Sequence, residues 1–172
     1  LGYTQNLKII TDTAIFTNHK SIIKGVQINY TAEVGMQPVW NKDGNVIASL
    51  FYTYYTRDNI KNIGNRPIII SFNGGPGSAS VWMHMAYTGP RILNVDNEGY
   101  PIQPYGFKNN PNSILDEADI VFVNPVNTAY SRMIKDKDGE LPDRSNFFGI
   151  NEDIAYLSNW INTFITLSLI HI

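Results

Sequence analysis

Residues 73–80 read NGGPGSAS, with three glycines and a proline in five positions, directly after the apolar run PIIISF at 67–72. Consecutive glycines let backbone N–H groups face a cavity with no Cβ in the way, which suits an anion or a developing oxyanion. The same residues serve equally well as a tight turn chosen only for sterics. A phosphate loop does not fit. The Walker pattern ends in Gly-Lys-Ser/Thr and no Lys follows Gly77, while G-x-G-x-x-G does not match either. An oxyanion hole remains, because α/β-hydrolases draw one donor from a glycine-rich loop after a strand and the other from the residue after the nucleophile.

The rest of the chain must position that loop. From 67 onward, PIIISF and ADIVFVNPV (118–126) are short continuous apolar runs, the pattern of strands buried on both faces of a sheet. Between them SASVWMHMAYTG (78–89) predicts a short helix stopped by Gly89-Pro90. After them Asn151 is the expected cap of a longer helix, with Glu152 and Asp153 in its first turn and Ile154, Leu157, Ile161, Phe164 and Ile165 on one face. The first 57 residues alternate instead. KIITDTAIF, GVQINYTAEV running on to QPVW, and VIASLFYTYYTRD read as antiparallel strands, with Asp43-Gly44 as the hairpin turn before Val46. The order predicts an α/β fold: an antiparallel lead-in, then parallel strands with covering helices. Ligands in such sheets bind beyond the carboxyl ends of the strands, where NGGPG lies.

Composition narrows the partners. The 172 residues, 43% hydrophobic, can bury a core. Thirteen basic against fifteen acidic residues, with no basic run, argue against nucleic acid. No apolar stretch reaches about 20 residues, so no membrane span is expected. The absence of cysteine excludes a disulfide framework and thiolate metal sites, and no cofactor or metal is expected. The chain opens LGYTQ without Met or a charged leader, and the composition names no compartment and no oligomeric state.

Three blocks, SFNGGPGSASVWMHMAYTGPR, NPNSILDEADIVFVNPVNTAYSR and FFGINEDIAYLSNWINTFI, resemble in order and spacing the serine carboxypeptidases, peptidase family S10, and most of all the bacterial branch. The resemblance implies the N-terminal part of an α/β-hydrolase domain over residues 1–166 and an enzyme releasing C-terminal amino acids from peptides that carry a free carboxylate. In this reading Asn73 donates its side-chain amide to that carboxylate, Gly74 adds a backbone N–H, and Gly75 supplies the catalytic oxyanion N–H. A chain end satisfies such donors, whereas an internal amide leaves them unpaired. The family leans toward an exported or periplasmic location. A related acyltransferase or esterase would use the same loop, and a non-catalytic module binding peptide ends or glycans is the reading from another class.

Several residues invite a role and are declined. Ser131 follows a strand, but no G-x-S-x-G elbow occurs in the sequence, so Ser131 is expected to be hydrogen-bonded scaffold. His84 reads as structural, and His171 receives no role. Trp82 is expected to pack into the core rather than line a pocket. Asp116, Glu117 and Asp119 read as solvated loop charges. Asn124 stands where the family usually has Asp, and Ala129 where it usually has Gly, so a Cβ there should crowd the backbone or force another turn. The nucleophile, aspartate and histidine of a triad are not assigned, and the chain itself is expected to be inactive and to stop before the elbow. The ending LSLIHI resembles translated adapter sequence, so 167–172 are expected to be a non-native tail.

Overall fold

The computed structural model describes residues 12–61, 63–73 and 77–169. Three long strands open the fold: β1 (Thr13–Ile23), β2 (Val26–Trp40) and β3 (Val46–Arg57). They form an antiparallel meander, with Ile23 opposite Val26 and Met36 opposite Phe51. Lys24 and Gly25, both at positive φ, make the first two-residue turn, and the Asp43-Gly44 turn lies where the sequence places it, with Gly44 at φ 79°.

The run at 67–72 yields β4 (Ile68–Ser71), and two short strands, β5 (Arg91–Leu93) and β6 (Phe107–Asn109), pair in a small separate hairpin that the sequence pattern did not announce. The next strand of the main sheet is β7 (Asp119–Val123), every residue of it buried. It lies between β3, to which it is antiparallel, and β4, to which it is parallel, giving the order β1-β2-β3-β7-β4. A two-residue strand, β8 (Arg132–Met133), continues along β3. The expected antiparallel lead-in and parallel follow-on are both present, the parallel part as the single pair β4–β7. β4 takes the edge, so Ile69 is 40% exposed despite its apolar setting in sequence.

The sheet carries a core on each face. On one, α1 (Ile150–Leu169) lays Tyr156, Leu157, Trp160 and Phe164 against Leu50, Tyr52, Tyr54, Val121 and Val123. Of the predicted face, Leu157 and Phe164 are buried as expected and Ile161 packs beside them, but its first residue is not part of it. Ile154 is 61% exposed, whereas Trp160 is 1% exposed and stacks on Phe164 at 5.2 Å between ring centroids. Aromatic area outcompetes the aliphatic stripe here, because Tyr52 meets both Trp160 and Phe164 edge-on. Asn151 is not the cap. The helix begins at Ile150, and the Gly149 carbonyl accepts from Asp153 N at 2.9 Å. The carboxylate of Glu152 folds over Gly149, where a Cβ would come within 2.1 Å of Oε2.

On the other face, Ile28, Tyr30, Ala32, Ile120 and Phe122 meet Leu115 and Met83. The expected short helix is a wide π-helix (Met83–Thr88), in which Gly89 N donates back to His84 O at 3.2 Å. Gly89 ends it in an extended conformation, and a Cβ there would come within 2.2 Å of His84 O.

Candidate functional site: the carboxyl end of the β4–β7 pair

β4 and β7 run parallel with Ser71 beside Phe122, so their carboxyl ends deliver Asn73 and Asn124 to the same edge of the sheet. Gly74 and Gly75, the expected carboxylate and oxyanion donors, lie outside the described residues, as does Pro76. Asn73 does not. Its side-chain amide donates to Ser78 Oγ at 2.6 Å, and its backbone N–H donates to Ser80 Oγ at 3.1 Å. The amide is therefore oriented from within its own loop.

Ser80 is the residue that sequence reasoning missed. It is 1% exposed, its hydroxyl donates to the Val123 carbonyl at the end of β7, and its N–H donates to Asn124 Oδ1 at 2.9 Å. Asn124 in turn donates from Nδ2 to Phe51 O at 3.2 Å, while its own N–H reaches the same carbonyl at 3.0 Å. Three strands, β3, β7 and β4, are thereby tied together at one end. A serine three residues after the last loop glycine, just ahead of a helix, was the available signal, although the hydroxyl serves the sheet rather than the helix.

The segment after β7 is held by Ser131. It is fully buried, its Oγ donates to Asn124 O at 2.7 Å and accepts from Phe51 N at 2.8 Å, so it is scaffold, as expected. Asn127 and Ala129 both adopt left-handed conformations, at φ 62° and 45°. Ala129 thus keeps the conformation for which glycine is suited and carries strain of about 1–2 kcal/mol. Tyr130, 71% exposed, lies edge-on to Phe51.

His84 is structural. Its ring stacks on Phe122 at 4.5 Å, Nε2 lies 2.7 Å from Tyr55 Oη, and burial lowers its pKa to about 4. It is neutral at pH 7. Trp82 does not pack into the core as expected but stands 59% exposed at the start of the π-helix. The acidic trio also needs correction. Asp119 is buried, bonded to Arg66 Nε at 2.7 Å and to Arg57 N at 3.0 Å, and Asp116 pairs with Lys24 at 2.5 Å; only Glu117 is solvated. These carboxylates secure the opposite, amino end of β7.

A cavity of about 1290 Å³ opens elsewhere, among the β2–β3 turn, residues 134–142 and the start of α1, and Asn73 does not line it. Among the described residues no group of three or more His, Asp or Glu side chains is placed to hold a metal ion, and no helix is long and apolar enough to cross a membrane.

The geometry can be set beside known proteins. The serine carboxypeptidase family model, Peptidase_S10, matches residues 27–168. Serine carboxypeptidase-like 36 of Arabidopsis thaliana is 29% identical over 121 residues, which are 70% of this chain and 23% of that protein. The pheromone-processing carboxypeptidase KEX1 of Saccharomyces cerevisiae is 27% identical over 129 residues, 72% of this chain and 16% of that protein. The chain therefore spans less than a quarter of the length of these curated relatives. A crystal structure of Kex1(delta)p, a prohormone-processing carboxypeptidase from the same yeast, superposes with a TM-score of 0.53 at 23% identity, covering 78% of this chain and 28% of that one. That likeness establishes the fold as part of an α/β-hydrolase. With the family model matched across residues 27–168, most of the sequence, this chain belongs to the serine carboxypeptidase family.

Proposed function

We propose that the whole protein is a serine-type carboxypeptidase that releases C-terminal amino acids from peptides, and that this chain supplies its grip on the peptide's tail. The Asn73 amide and the Gly74 N–H hold the free α-carboxylate, and the Gly75 N–H stabilises the oxyanion that forms on the scissile carbonyl. Loss of one oxyanion donor costs about 3 kcal/mol of transition-state stabilisation. The observation that carries this reading is the position of Asn73: it leaves a parallel strand at its carboxyl end, with its amide oriented by Ser78. A serine mechanism forms and then hydrolyses an ester, with a histidine moving the proton and an aspartate orienting it. None of those three is assigned to a residue here. Placement in the bacterial branch rests on the wording of the motifs alone.

The test is Asn73→Ala in the full-length protein. The expected result is a KM raised about tenfold for a peptide with a free carboxylate, with little change for the same peptide amidated at its C-terminus. Equal loss on both substrates removes the carboxylate role. A fluorophosphonate probe that labels one serine of the full-length protein supports the enzyme, while silence favours a binding module. Ester products formed with an added alcohol would favour acyl transfer.

A further inference from the structure

The Ser80–Asn124 pair contains more than a loop turn requires. Ser80 uses its hydroxyl twice and its N–H once: the bond from Asn73 N to Ser80 Oγ at 3.1 Å closes the segment on itself, while Ser80 Oγ to the Val123 carbonyl and Ser80 N to Asn124 Oδ1 at 2.9 Å tie it to the end of β7. Both residues are buried, at 1% and 6% exposure. Helix capping alone leaves this unexplained, since a capping serine points its oxygen at the first helical N–H groups. Ser80 instead reaches back to Asn73 and ties the closed segment to the end of β7.

We propose that Ser80 and Asn124 are positioning residues that form a latch, fixing Asn73 relative to β7 and so setting how tightly the loop holds a substrate carboxylate. The carboxylate role itself rests on the function proposed above. Asparagine suits the latch because it accepts from Ser80 N and donates to Phe51 O at the same time. A carboxylate at 124 accepts the first bond but opposes the Phe51 carbonyl with a second oxygen, and only its protonated form reproduces both bonds. This chain's amide makes the latch independent of pH.

The test uses the full-length protein with Ser80→Ala and Asn124→Asp. Site-resolved amide exchange is followed at Asn73, together with kcat and KM on a free-acid peptide and on its C-terminal amide. Ser80→Ala removes the acceptor of the Asn73 N–H, so exchange at Asn73 should accelerate about tenfold, with KM for the free-acid peptide rising by about the same factor and KM for the amide unchanged. Asn124→Asp should retain near wild-type KM at pH 5 and lose about tenfold in kcat/KM on the free-acid peptide by pH 7.5, with little loss on its amide, whereas a merely structural role loses both substrates alike. Unchanged exchange at Asn73 in Ser80→Ala overturns the latch, as does an Asn124→Asp to wild-type ratio that stays flat with pH. If the wild-type protein cleaves no peptide, the proposed function fails instead, and amide exchange in both variants still decides the latch. Should Ser80→Ala not fold, the Asn124→Asp exchange profile at the two pH values decides it.

Discussion

The α1 face of the sheet and the carboxyl end of the β4–β7 pair are held by different physics. Under α1, Trp160, Phe164, Tyr52 and Tyr54 exclude water through stacked and edge-on rings. At the strand ends, Ser80, Asn124 and Ser131 are equally buried, yet each is held by two or more directed hydrogen bonds. Area is forgiving of atom identity as long as volume is kept; a directed bond is not. A loop meant to hold backbone donors at fixed positions is therefore anchored by hydrogen bonds, while the helix behind it is anchored by surface.

Setting truncations beside conservative replacements should separate the two regimes. Trp160→Ala is expected to cost the most, about 3–5 kcal/mol in urea unfolding. Trp160→Phe should cost far less, because the indole N–H has no partner among the described residues. A Trp160→Phe loss as large as that of Trp160→Ala would break the claim that area governs this face.

Acid comes next. The pKa of His84 falls from 6.5 to about 4 because burial disfavours its charged form. Between these values the unfolded chain binds a proton that the folded one refuses. Stability is therefore fully present above pH 6.5 and declines as pH falls toward 4, by on the order of 3 kcal/mol. His84→Gln should flatten that limb, and an unaltered pH dependence of unfolding in the variant would remove His84 as its source.

Ser131→Ala nearly keeps the volume and removes both hydrogen bonds, leaving Phe51 N and Asn124 O unsatisfied. It should cost about 1–3 kcal/mol in the same unfolding measurement, in contrast to the tolerance expected of Trp160→Phe. A neutral result would mean that the strand ends are as forgiving as the core. The smallest effect has the opposite sign: Ala129→Gly relieves a left-handed alanine and should stabilise by about 1 kcal/mol, less the backbone freedom that glycine adds to the unfolded chain. A fall in the melting temperature would show that the alanine is not strained.

Local pattern located the frame well. The alternation in β2 and β3, the apolar runs that became β4 and β7, and the Asp43-Gly44 turn are properties of short segments, and each segment adopts what its own period and turn chemistry favour. Readings that depended on a distant partner went astray. Asp119 resembled a loop charge because Arg66, which pairs with it, is 53 residues away. Ile154 resembled a core residue because nothing in α1 itself reveals that Tyr52 waits opposite Trp160. Asn151 has a capping side chain, yet the helix already begins at Ile150, where the Gly149 carbonyl accepts from Asp153 N.

The sequence by itself determined the family, the strand order in its local pairs and the place of a donor-rich loop after an apolar strand, because motif and period are written in consecutive residues. Only the tertiary structure decided which polar groups hold that loop. Ser80, Val123 and Asn124 become one unit through the parallel pairing of β4 with β7, a contact between segments 40 to 50 residues apart that no local preference encodes.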